Sequence, residues 1–173
     1  MFFTKTKLYK NHNAPIDNKK TLKDGKRIFG DNKTWIGFFS MIFFCLVSQL
    51  AVGLLCNLCD LNSHNEFYIH HQNTFAYNAM IGSAIGFIYM LFELPNSFLK
   101  RRFNIPPGKT KKSLLGLFFC GLDQIDSLIG VMAFLMLMSG ISFWKYLYYI
   151  CVGAATHFCV NVLLKKGKVR KNI

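Results

Sequence analysis

From Thr34 to Cys59 the chain runs for 26 residues without one charged side chain. As a helix, that stretch reaches about 39 Å at about 1.5 Å per residue, enough to cross a hydrocarbon core of about 30 Å with some tilt. Three more apolar runs come later, at Phe75–Phe92, at 127–144 and at Leu147–Leu164. Lipid offers no partner to a stray N–H or C=O, so runs of this kind fold as helices. The expected class is all-α, a polytopic membrane bundle of about four transmembrane helices in a single membrane domain over 1–173. The spans fall at about 34–59, 75–94, 122–144 and 146–164. A net charge of +13 beside 52% hydrophobic residues would be odd in a soluble domain. It is natural when the apolar residues sit in spans and the lysines in the segments between them. Met1–Lys10 has no apolar h-region, so no secretory signal peptide is expected and the first span acts as an uncleaved anchor.

The third region constrains the site. Ser113 to Trp144 is 32 residues, about 48 Å as one helix and longer than a bilayer needs. The uncharged part after Asp126 suffices alone, so the span is expected to begin near Asp123. Residues 113–121 then form an interfacial or re-entrant piece. Glu93 and Pro95 are expected to close the second span, with Asn96 or Ser97 capping the next segment.

Charge sets the orientation. Nine Lys/Arg precede the first span, six lie between spans two and three, and five come after the fourth, leaving only Lys145 on the other side. This is a positive-inside pattern. It predicts a protein of the cell (cytoplasmic) membrane with both termini cytoplasmic and the basic segments facing the same compartment.

Three motifs share that face. Asp123 and Asp126, at i and i+3, lie on one helix face with Cβ atoms about 5–6 Å apart. Two acids at the edge of hydrocarbon call for compensation, and a divalent cation supplies it. The plainer reading is two helix N-terminal acids favoured by the macrodipole. The stretch 24–35, DGKRIFGDNKTW, offers Lys26, Arg27 and Lys33 as phosphate partners, with Thr34 adding a hydroxyl. Its alternative is a basic juxtamembrane segment drawn to anionic lipid. The stretch 93–102, ELPNSFLKRR, brings Asn96, Ser97, Lys100 and Arg101 as an anion clamp. Glu93 either pairs with one of those bases or faces the site interior. His157 and Asn161 stand at i and i+4 in the fourth span, where interhelical hydrogen bonding is the commoner role.

The six cysteines read as small, buried, polarizable residues. Cys56-x-x-Cys59 with His64, His70 and His71 after it loosely matches a zinc spacing. The placement of Cys56 inside a span argues against it.

The strings GDNKTW (30–35), ELPNSFLKRR (93–102) and DQID (123–126) together resemble the CDP-archaeol synthase family, related to the CTP:phosphatidate cytidylyltransferases. His157-x-x-x-Asn161 resembles the same family, and the likeness runs from about Asn13 to Lys166. The phosphatidate enzymes usually carry Lys-Asp and His-Gly-Gly before the final acids; those are absent here, which favours the shorter archaeol-type branch. Ile36 stands where that branch usually has Arg, and relatives tend to place one more helix before the Asn-x-Ala-Pro stretch.

The resemblance implies a membrane nucleotidyltransferase of phospholipid biosynthesis. A lipid phosphate, archaetidic-type or phosphatidate, would attack the α-phosphorus of CTP to give a CDP-activated lipid and pyrophosphate. Asp123 and Asp126 would hold Mg²⁺. Lys33, Lys100 and Arg101 join them as catalytic candidates, and Lys26, Arg27, Asp31, Thr34, Asn96 and Ser97 bind nucleotide or phosphate. The expected partners are CTP, the lipid phosphate and membrane lipids, with no nucleic acid and with a homodimer left open. The competing classes are a non-catalytic scaffold that binds anionic lipid and a small ion or solute transporter.

Overall fold

The computed structural model describes residues 13–108 and 113–167. Lys109, Lys111 and Lys112 of the basic segment, the first lysines and the end of the basic tail lie outside the described residues. Among the described residues four long helices occur in order: α1, Trp35–Leu58; α2, Phe75–Arg102; α3, Leu114–Ser139; and α4, Phe143–Lys166. Each is long and apolar enough to cross a membrane, as the uncharged runs require. Two short 3₁₀ turns, Asn62–His64 and Glu66–Tyr68, interrupt the α1–α2 connection.

Hydroxyl caps start three of the helices. Thr34, Thr74 and Ser113 accept from the amides of Gly37, Tyr77 and Gly116, each at 3.2 Å. Each satisfies one of the free amides of a first turn. Gly140, at φ +62°, ends α3 in the left-handed region, with its N–H on the Met136 carbonyl.

Small residues set the packing. A Cβ at Gly82 would lie 2.7 Å from the Leu46 Cα, and one at Gly86 would lie 2.5 Å from the Ile42 Cα. The backbones of α1 and α2 therefore meet at a separation only glycine allows, as in membrane small-xxx-small interfaces. The space at Gly82 and Gly86 of the second span is thus filled by α1. Gly130 of α3 seats the Phe92 ring, and Gly153 of α4 seats Leu128, so each successive pair has its own close contact. At one end of the bundle Gln49, Tyr68 and Asn78 form a buried hydrogen-bonded cluster. Glu66 at that end takes Lys145 Nζ at 2.8 Å and the Tyr149 hydroxyl at 3.0 Å.

The helices differ from expectation at two places. α2 continues through Pro95 to Arg102, so Asn96 and Ser97 are helix-interior residues and not caps. A proline ring removes one backbone hydrogen bond, a loss that neighbouring helices in membranes compensate. Residues 113–121, expected as a separate piece, are the N-cap and opening turns of α3. An overlong helix can tilt or project past the hydrocarbon. Asp123 and Asp126 consequently lie well inside α3, away from its N-terminus, and do not serve as macrodipole acids.

The basic segment before α1 folds back as a lobe. Pro15 bridges to Thr34 and Thr21 to Arg27, while Ile16 N–H donates to the Lys33 carbonyl at 2.9 Å and Trp35 N–H to that of Ala14 at 3.0 Å.

Candidate active site

α2 and α3 pack side by side, and their polar residues face each other at the end of the bundle that carries the lobe. On α2, Glu93, Asn96 and Lys100 are spaced i, i+3, i+7, one helical stripe. That register exists only because the helix runs through Pro95. On α3, Asp123 and Asp126 make the matching stripe. Asn96 Nδ2 donates to Asp123 Oδ1 at 2.6 Å and to Asp126 Oδ2 at 2.7 Å. Lys100 Nζ closes on both oxygens of Asp123, and its ammonium stands 6.0 Å from the centroid of the buried Phe119 ring. The second oxygen of Asp126 accepts the Ser127 amide at 2.7 Å.

Asn96 is only 4% exposed, and its Oδ1 is buried without a hydrogen-bond partner. A buried amide oxygen with no donor is costly. Here it belongs to the residue that bridges two carboxylates. Two carboxylates, beside an amide that now turns its nitrogen to them and would add its oxygen if turned over, offer the hard-oxygen donors that Mg²⁺ takes when it keeps several waters and shares the rest of its shell with substrate phosphates. Among the described residues no group of three His, Cys, Asp or Glu side chains could hold a metal by itself. A Mg²⁺–nucleotide complex needs only one or two carboxylates from the protein. The residues therefore fit the ion.

The lobe joins this site at two points. Lys33 pairs with Glu93, so Glu93 finds its base in the lobe and not among those of 96–102. Arg101 donates from Nε to the Phe29 carbonyl at 2.9 Å and also to the Ile105 carbonyl. Next to it, Arg102 pairs with Asp24, and Lys26 Nζ reaches the Arg102 carbonyl at 2.8 Å. Gly30 fits beneath Arg101 at φ +95°; a Cβ there would lie 2.9 Å from Pro107 Cγ and 3.2 Å from Arg101 Nε.

Of the residues singled out in the sequence, the structure gathers Asn96, Lys100, Asp123 and Asp126 around one point, with Lys33 beside them through Glu93. Arg27 is engaged inside the lobe by Asp17, at 2.6 Å, and by Asp31, at 2.8 Å; the Asp31 side chain is itself largely exposed. The Thr34 hydroxyl is the cap of α1, Lys26 and Arg101 bind carbonyls, and Ser97 is buried within α2. Asn161 donates to Gln124 Oε1 at 3.0 Å, linking α4 to the residue after Asp123. The His157 ring meets Tyr89 edge-on at 6.3 Å.

Two residues escaped the sequence reading. Asp17, its side chain fully buried, is the hub of the lobe: it takes Arg27 at two nitrogens and the amides of Lys19, Phe29 and Gly30. Burial pushes its carboxyl up, but Arg27 and the amides of Gly30, Phe29 and Lys19 outweigh that and hold it well below the usual carboxylate range. An acid two residues after Pro15, in a segment where bases outnumber acids, is the one signal the sequence carries for it. Gln124 is buried and hydrogen-bonds both Asn161 and the Cys120 carbonyl; nothing in its spacing marks it.

A family model described as CarS-like CDP-archaeol synthase matches residues 8–171. The chain is similar to the CDP-archaeol synthase of Pyrococcus furiosus, with 33% identity over 156 residues, covering 90% of this chain and 80% of that protein. It is also similar to those of Methanococcoides burtonii, at 33% over 134 residues with 75% and 69% covered, and Saccharolobus islandicus, at 30% over 142 residues with 80% and 68% covered. No solved structure matches. With an acid pair faced by a lysine and a bridging amide between two membrane helices, and with a family match over nearly its whole length, this chain belongs to the CDP-archaeol synthase family of CTP-dependent lipid cytidylyltransferases.

Proposed function

We propose that the paired stripes of α2 and α3 are where a lipid phosphate monoester, in the first place an ether-linked archaetidic-type phosphate, is joined to the cytidylyl group of CTP. The observation that carries this is the convergence of Asn96 and Lys100 on Asp123 and Asp126. Transfer of this type needs charge neutralisation and alignment more than covalent help.

Each residue has a part. Asp123 and Asp126, oriented by Asn96, would hold Mg²⁺. Bound there, Mg²⁺ supplies a Lewis acid that neutralises the phosphate oxygens and favours pyrophosphate as leaving group. Lys100 and Lys33 are the mobile cations of the site, each now on a carboxylate, and both can turn to phosphate oxygens. A lipid phosphate oxygen forms a bond to the α-phosphorus of CTP while the bond to the bridging oxygen breaks, and pyrophosphate departs with that electron pair. Asp17, Arg27, Arg101 and Arg102 act through the lobe: they fix its backbone against the end of α2 and so set where Lys33 stands.

The site lies at the end of the bundle carrying the basic segments, opposite the Glu66–Lys145 pair. Positive-inside asymmetry supports a cytoplasmic site with both termini on that side, where CTP is available. The gathering of acids and bases at one end also separates this reading from a transporter, whose charges would line a path through the bundle. The test is purified protein given labelled CTP, Mg²⁺ and either the ether-linked or the ester-linked lipid phosphate. CDP-lipid from the ether-linked acceptor supports the proposal, and no product from either acceptor overturns it.

A further inference from the structure

We propose that Lys100 is an internal counter-ion that holds the acid pair in the nucleotide-free protein, competes there with the divalent cation, and passes to the nucleotide phosphates when cation and CTP bind together. The inference rests on the cytidylyltransferase reading of this site and adds an order of events to it.

Three observations carry it. Lys100 Nζ contacts both oxygens of Asp123, so it occupies both oxygens of a carboxylate that would serve a metal. Asn96 turns its NH₂ to both acids and leaves its own oxygen buried without a donor. That orientation suits a pair with no cation between its members. Turning the amide over would bring the oxygen to the pair as a ligand and move the nitrogen to where the oxygen now lacks a partner. The third observation is freedom to move. Asp123 is 41% exposed at the side chain, against 17% for Lys100, and the Lys100 ammonium stands 6.0 Å from the centroid of the Phe119 ring. The flexible four-carbon stem lets the ammonium swing away from the exposed side of Asp123 while Lys100 stays anchored on α2.

Charge gives the direction of coupling. Glu93, Asp123 and Asp126 bring three negative charges to the facing stripes, and Lys33 and Lys100 bring two positive ones. A divalent ion arriving alone must displace Lys100 and leave an ammonium without a partner at the edge of the membrane. Arriving with a triphosphate, it displaces the same lysine onto a new anion. The cation alone therefore binds weakly, CTP tightens it, and by linkage the cation tightens CTP to the same degree.

The test uses the full chain in detergent micelles, with Mn²⁺ as a paramagnetic probe titrated without nucleotide and then with CTP but no lipid acceptor. Lys100→Met is expected to bind Mn²⁺ without nucleotide at least about tenfold more tightly than the wild type, a difference of ~1.4 kcal/mol, and to gain less from CTP. Lys100→Arg keeps the charge and stays weak. Lys100→Gln, which keeps a donor to Asp123, falls between and guards against misfolding of the Met variant. Mn²⁺ binding by both neutral variants no tighter than wild type overturns the counter-ion role while leaving the enzyme reading intact. A wild type that binds no Mn²⁺ even with CTP, in a protein that still makes CDP-lipid with Mg²⁺, overturns the acid pair as the metal site, and the counter-ion role with it.

Discussion

Lys33, the last basic residue before α1, forms an ion pair with Glu93, two turns from the end of α2. The two side chains are 18% and 22% exposed, so the pair is partly shielded from water and locks the lobe to the helix that carries Asn96 and Lys100. A pair at this depth should couple by about 1–2 kcal/mol, more than a surface pair and less than a dry one. Lys33→Met and Glu93→Gln are each expected to destabilise the folded protein, and the double variant to cost less than their sum by that amount. Thermal unfolding of the four proteins in one detergent measures it. Strict additivity would mean that the two residues do not interact.

Asp17 sets the acid limit of the lobe. Its carboxyl is held below the usual range in the folded state, so on acidification the unfolded chain takes up the proton first. The stabilisation is complete above the unfolded value of about 3.9 and is lost as pH falls below it toward the folded value. Asp17→Asn, which leaves the part-buried Arg27 guanidinium with Asp31 alone and takes the charge from a buried acceptor of three amides, should cost about 2–3 kcal/mol near neutral pH. The difference from wild type should shrink below about pH 4. Protease cutting within 13–33 as a function of pH reads both limbs. A gap between the two proteins that is constant down to acid pH contradicts the linkage.

How much of this was legible in the sequence depends on how far apart the determining residues lie. The spans are set by uncharged length alone, because hydrocarbon punishes charge locally. Lys33, Asp123 and Asp126 stand out for a related reason, because they border apolar runs, while Lys100 stands out within the string ELPNSFLKRR. Pro95 misled, because a proline that ends helices in water can sit within a membrane helix. With α2 ended at 94, Asn96 reads as a cap; its bridging role appears only when the helix continues and puts it in register with Glu93 and Lys100. Asp17 was out of reach because its partners come from a fold-back that depends on left-handed residues at Asn18, Lys19, Gly25 and Gly30, a path no periodicity encodes.

Glycines at two places should respond oppositely to the same substitution. At Gly86 a methyl would meet the α1 backbone at Ile42, while at Gly121 nothing lies within 4 Å of an added Cβ. Gly86→Ala forces two helices apart and is expected to lower stability by about 1–3 kcal/mol. Gly121→Ala, in a helix interior with open space, should be neutral or stabilising by up to about 1 kcal/mol. Unfolding temperatures in a single detergent compare them directly. Equal effects at the two sites would argue against backbone contact between α1 and α2.

Asn96 offers the sharpest separation of positioning from folding. It touches both acids but carries no charge, so replacing it leaves the ionic inventory of the site unchanged. Asn96→Leu keeps the approximate volume and removes the bridge. The carboxylates then lose the amide that fixes their mutual orientation, and partners of metal ligands typically govern about 10–100-fold in affinity or activity. The Mg²⁺ concentration for half-maximal turnover should rise by that factor. Turnover at saturating Mg²⁺ should fall less, because both carboxylate ligands remain. Asn96→Asp should fail differently: a third carboxylate beside two others adds repulsion that a single Lys100 cannot offset, and the variant should depend on divalent cation for its thermal stability as well as its activity. A Mg²⁺ titration of turnover, paired with melting curves at each Mg²⁺ concentration, distinguishes the two variants. An unchanged Mg²⁺ requirement in Asn96→Leu would mean that the bridge seen between α2 and α3 plays no part in holding the ion.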